Sequence, residues 1–231
     1  FYKMQDVILN KKRINMFIGE ATLRPLDKPY NHEQIKKILD VSDIRNKVIV
    51  LLISSSGCRI GSISELKLRN LERIESCYKI TVYEGTNEQY YSFVTPECAS
   101  FIDAYLKYRS DNGELLTPES YLIRDQFDIK DPDQIRYRSR GITTGTLKLT
   151  LYTLLLKAGL RTIDKINPHK RKKTAMSHGL IKFFTKQLID SGVELIHAEL
   201  LRGHNIGLLG KYYRPTEQDM FMQYQKAIDN L

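Results

Sequence analysis

The chain has 231 residues, room for one generous domain or for one domain with a fragment of another. Hydrophobic residues make up 42%, which supports a packed core and excludes a disordered chain. Lys and Arg number 36 against 27 Asp and Glu, a formal charge of +9 that points to a polyanionic partner, nucleic acid ahead of an anionic membrane surface.

Residues 1–19 mix Val7, Ile8, Leu9, Ile14 and Phe17 with basic residues and stop at Gly19, one helix too short to be a domain. A polar linker passes Pro25 and Pro29. The main domain begins near Asn31, placed to cap a helix with Gln34 three residues on. A second helix carries the apolar run before Ser54, Ser55, Ser56 and Gly57, and Ser62 with Glu65 reads as a capping box for a short helix ending near Leu68. Residues 78–94 change period: Ile80 and Val82 alternate with polar residues, 84–87 is turn-rich, and 90–94 is aromatic and β-branched, a β-hairpin signal. Thr95-Pro96 opens a helix whose apolar face holds Phe101, Ile102 and Tyr105. Residues 111–143 form an irregular connection with one short helix. Leu147, Leu151, Leu155 and Ala158 then mark a helix stopped by Gly159. Residues 178–191 and 194–202 repeat that pattern, and Thr216 caps a last helix faced by Met220, Tyr224, Ile228 and Leu231. The fold class is α+β, mostly helical with a small antiparallel sheet.

Cys58, Cys77 and Cys98 are odd in number and none sits at metal-ligand spacing, which argues for a reducing interior over a disulfide framework or zinc site. No apolar run approaches the roughly 18 residues that span a bilayer. The chain starts at Phe1 with no signal-peptide pattern and reads as an intracellular fragment with its N-terminus cut away, cytoplasmic and nucleoid-associated. Glycine-rich nucleotide loops and internal repeats are missing.

Three short segments carry chemistry. The first is 56–61, with Arg59 in a turn between two helices. The second is 178–184, with His178 opening a helix. The third runs from Leu200 through Arg202, Gly203 and His204 to Lys211, Tyr212, Tyr213, Arg214 and Pro215. Each alone reads as a surface charge, a helix cap or packing; the order and spacing of all three is the signal. Together they resemble the tyrosine recombinase family of phage integrases and Xer-type enzymes, in its archaeal integrase branch, over about residues 26–231. By the same resemblance 1–25 is the end of an N-terminal DNA-clamping domain with its linker, and 26–231 the catalytic domain.

That resemblance implies site-specific DNA recombination or integration. A tyrosine hydroxyl attacks a phosphodiester to give a 3′-phosphotyrosine and a free 5′-hydroxyl, with no metal or cofactor. Arg59 grips the scissile phosphate with its planar fork. His178 and His204 are further phosphate donors. Tyr212 is the nucleophile, with Tyr213 as the alternative that the bacterial Xer spacing selects. Two positions depart from the family. Ile181 stands where the second arginine belongs, and one preorganised donor lost costs about 100- to 1,000-fold in rate. The hairpin turn holds no lysine to serve as general acid, and Lys79 is the weak substitute. The chain thus also reads as a catalytically inactive DNA-binding protein of recombinase descent; a basic helical adaptor for an acidic protein is a third reading.

His169 precedes the densest basic run, Lys170, Arg171, Lys172 and Lys173, which with Lys182 and Arg202 makes candidate contacts to double-stranded DNA. Arg136, Arg138, Arg140, Lys148 and Lys157 extend that patch. The apolar face of 217–231 fits either its own core or a neighbouring protomer, and self-association into a dimer or tetramer on DNA is the family's expectation.

Overall fold

The computed structural model describes residues 27–162 and 174–231. The N-terminal helix, the domain boundary expected at residue 25 and the basic run 169–173 lie outside them. Asn31 caps α1 (His32–Asp40) with a complete capping box: its side chain accepts from the Gln34 amide at 2.9 Å, and Gln34 Oε1 accepts from the Asn31 amide at 3.1 Å. α2 (Ile44–Ser56) starts at Asp43, whose carboxylate caps Asn46, and is buried on every side from Val48 to Ser56. A helix apolar all round belongs at the centre of a core. The Ser55 and Ser56 hydroxyls survive there by donating to carbonyls one turn back, at 2.6 Å.

A left-handed Gly57 ends α2, and α3 (Ile60–Ile63) follows at once. Ser62 therefore does not cap a helix: its hydroxyl folds back onto the Arg59 carbonyl at 2.7 Å, and the helix expected to run to Leu68 is already over. A 3₁₀ turn (Leu68–Asn70) leads into an antiparallel meander of β1 (Leu71–Ile74), β2 (Cys77–Val82) and β3 (Tyr90–Val94), in that spatial order. β1 goes beyond the expected hairpin. Its adjacent Glu72 and Arg73 spoil the two-residue alternation, and pairing with β2, Leu71 opposite Ile80 and Ile74 opposite Cys77, makes it a strand.

Thr95 caps α4 (Pro96–Asp111). The irregular connection contains α5 (Pro132–Tyr137) and is pinned by a buried carboxylate. Glu114 takes Arg109 at 2.7 and 3.0 Å, Arg124 at 2.7 Å and the Ser139 hydroxyl at 2.9 Å. Then come α6 (Thr144–Lys157), α7 (Met176–Asp190), α8 (Leu195–Leu201), α9 (Leu209–Tyr212), α10 (Glu217–Gln225) and a 3₁₀ turn (Ile228–Asn230). α2 packs between α4 and α7 with β3 alongside. Here α10 folds onto its own chain: Met220, Phe221 and Tyr224 are buried, and the Tyr224 hydroxyl donates to the Ser55 carbonyl at 2.8 Å. Among the described residues no helix is long and apolar enough to cross a membrane.

Candidate active site

Two glycines place two of the expected groups. Gly57 has φ +66°, and a Cβ there would lie 2.3 Å from the Phe184 ring of α7. Only glycine makes this turn against this neighbour, and the turn delivers Arg59, exposed, to the head of α3. Gly203, at φ +67°, ends α8; a Cβ there would lie 2.4 Å from the Tyr90 ring of β3. It delivers His204. Arg59 and His204 so come to line one open pocket of about 680 Å³.

Glu199 organises the histidine side of that pocket. Its Oε2 sits 2.5 Å from His204 Nδ1, its Oε1 takes Arg202 NH1 at 3.0 Å, and its carbonyl accepts the His204 amide at 3.0 Å. Tyr83 and Tyr90 form part of the floor. Burial raises both phenols against the opposing pull of Arg59, and the Tyr90 hydroxyl is buried without a hydrogen-bond partner among the described residues. Tyr83 adopts φ +54°, a strained value for a tyrosine.

The hairpin turn reaches this pocket through Asn87, Glu88 and Gln89. The place expected to hold a general-acid lysine faces the site, and no cation stands in it. Lys79 lies elsewhere. Its ammonium bridges Glu217, at 2.8 Å, and Glu72. Burial pulls its pKa down, but the two carboxylates outweigh that and raise it, so Lys79 ties β1, β2 and α10 together as a held cation.

His178 is exposed in the first turn of α7. Ile181, only 5% exposed, packs in the main core and offers the pocket nothing. Lys182 donates to the Asp27 carbonyl at 2.9 Å, and Arg202 is spent on Glu199. The two tyrosines differ sharply. Tyr212 is 87% exposed, whereas the Tyr213 hydroxyl is 2.8 Å from Nε2 of the buried His197, whose Nδ1 is 3.4 Å from Glu194. The pocket lining includes Arg59 and His204 but not His178, Tyr212 or Tyr213. Lys170, Arg171, Lys172 and Lys173 fall outside the described residues. Nothing in the sequence singles out Glu199, His197, Tyr83 or Tyr90 as site residues. An acid five residues before a histidine across a helix end is no recognisable pattern until the helix end is seen.

No protein-family model matches the chain. Tyrosine recombinase XerA of Thermococcus kodakarensis is 24% identical over 208 residues, covering 88% of this chain and 64% of the relative. The chain therefore spans just under two thirds of that relative's length. Among solved structures, the integrase from mycobacterium phage Brujita superposes with a TM-score of 0.62 at 17% identity, over 98% of this chain and 66% of that one. A lambda integrase tetramer bound to a Holliday junction gives 0.56 at 14% identity, over 93% and 56%. The fold is that of a tyrosine recombinase catalytic domain, and the resemblance carried by the motifs extends across the chain.

Proposed function

On this recombinase fold, we propose that the chain carries out site-specific DNA recombination, cutting and rejoining strands through a 3′-phosphotyrosine. The observation that carries the reading is the convergence of Arg59 and His204 on one pocket from opposite ends of the sequence. Arg59 grips the non-bridging oxygens of the scissile phosphate, and His204 donates beside it. Tyr212 attacks phosphorus. The new bond is Tyr O–P, the P–O5′ bond breaks, the phenol gives up its proton and the leaving 5′-oxygen takes one up. Rejoining reverses each step, so the bond energy is conserved. Tyr212 is preferred as nucleophile because its side chain is exposed while the Tyr213 hydroxyl is engaged; Tyr213 is the alternative. His178 approaches the same phosphate once DNA is bound.

The partner is double-stranded DNA, and its footprint follows unpaired charge. Lys130, Arg136, Arg138, Arg140, Lys148 and Lys157 are all exposed, and none has an ion-pair partner among the described residues. Arg138, Arg140 and Lys157 rim an open pocket of about 780 Å³ at the far end of α2 from Arg59. The run Lys170–Lys173 adds four more cations a little further along the sequence. Assembly into dimers or tetramers on DNA belongs to the same proposal, since the lambda integrase it resembles is a tetramer on its junction.

Ile181 in the core and the cation-free hairpin turn favour a second reading, a DNA-binding protein of recombinase descent that does not cleave. A nicked suicide substrate decides. The recombinase reading expects a detergent-resistant protein–DNA adduct that Tyr212→Phe or Arg59→Ala abolishes. Salt-sensitive binding without adduct leaves the second reading, and no duplex binding at low salt removes both.

A further inference from the structure

A carboxylate is out of place in a pocket for a phosphate, yet Glu199 lines the one that holds Arg59 and His204. Left ionised and unengaged it would repel the substrate. It is not unengaged. One oxygen meets His204 Nδ1 at 2.5 Å and the other meets Arg202 at 3.0 Å. An ionised carboxylate only accepts, so Nδ1 must carry the hydrogen between them. That fixes the neutral ring as the Nδ1–H tautomer and leaves Nε2 as the nitrogen available to the pocket. Arg202 holds the carboxylate in place from its other side, and Gly203, stacked on Tyr90, holds the backbone between acid and histidine.

We infer that Glu199 is a positioning residue for the proposed strand transfer: it orients His204 and sets its tautomer, so that Nε2 meets the scissile phosphate. Its charge reaches the substrate through the imidazole. With Nδ1 occupied, Nε2 alone changes protonation during the reaction, accepting a proton when the ring is neutral and donating to a phosphoryl oxygen when it is charged. Where a histidine binds a metal, removing the partner that orients its ring typically lowers affinity or activity about 10- to 100-fold, and a loss of that order is expected here. The inference rests on the recombinase reading only for its catalytic consequence; the tautomer belongs to the chain itself.

Nitrogen NMR of the His204 ring in its neutral form tests it, on the full chain and on Glu199→Ala and Glu199→Gln. Wild type should show Nδ1 protonated. Glu199→Ala should lose that preference, and Glu199→Gln, whose amide oxygen still accepts, should keep part of it. An Nε2–H ring in wild type, or a ring unchanged in Glu199→Ala, overturns the inference. The second measurement is adduct formation on suicide DNA beside duplex affinity. Glu199→Ala should slow the adduct about 10- to 100-fold with affinity and melting temperature nearly unchanged, and Glu199→Gln should recover part of the rate. Equal loss of rate and affinity points to a merely structural role and overturns it. If wild type binds DNA but forms no adduct, the catalytic reading has failed, and the tautomer decides this inference by itself.

Discussion

The cations around the sheet and those of residues 130–157 are arranged by opposite rules. Around the sheet and α4, charge is matched. Lys67 and Arg69 share Glu119, Arg69 also takes Glu84, Arg73 meets Asp103, Lys79 bridges two acids, and Lys107 meets Asp111. Arg109 and Arg124 go furthest, fully buried on Glu114. Along 130–157 the cations are exposed and unmatched among the described residues. The first arrangement spends charge on holding the chain together, and the second keeps it available to a polyanion outside. Net charge reports only the sum; pairing shows where a partner can lie.

The largest expected effect is at the buried extreme. Glu114→Ala leaves two guanidiniums buried and unpaired and should cost about 3–5 kcal/mol, read by denaturant unfolding. Next comes the bare surface. Replacing Arg138, Arg140 and Lys157 together by Ala should reduce the salt slope of DNA binding by about 2.7, at about 0.9 per phosphate contact, with little change in stability. An unaltered slope would break the comparison. A pH series sharpens the buried side. Burial pushes the Glu114 carboxyl up, but its hydrogen bonds to Arg109 and Arg124 win and hold it below its ordinary 4.5. A depressed carboxylate stabilises the fold above its unfolded pKa, and that stability is lost as pH falls through the folded one. The melting temperature should therefore hold steady above about pH 4.5 and fall below it, and Glu114→Gln should flatten that fall. The smallest effect is at a paired surface cation: Lys67→Ala should change stability by no more than about 1 kcal/mol and leave the salt slope as it was.

Much of the helical frame was legible because its signals are local. Asn31 with Gln34, Thr95 before Pro96 and Thr216 before α10 each act within a turn, and glycines closed the helices where expected. Local signals failed where a distant partner decided. Ser62 looked like a cap, but the Gly57 turn against Phe184 starts the helix earlier. β1 is a strand because β2 is beside it. At the site, the motifs named Arg59 and His204, and the fold joins them. They could not show that Ile181 is swallowed by the core, that Lys79 is spent between two acids, or that Tyr213 but not Tyr212 is held by a buried histidine.

By itself, then, the amino-acid order determined the fold class, most element boundaries and the residues to suspect, since periodicity, caps and motif spacing are written within a few residues of one another. Tertiary structure alone decided which suspects share a pocket, which charges are spent inside the protein, and that Glu199 stands behind His204. Those outcomes depend on how the chain folds, either bringing distant side chains together across the core or, at Glu199 and His204, turning near neighbours onto each other at a helix end, so that burial and pairing, rather than residue type, set what each group can do.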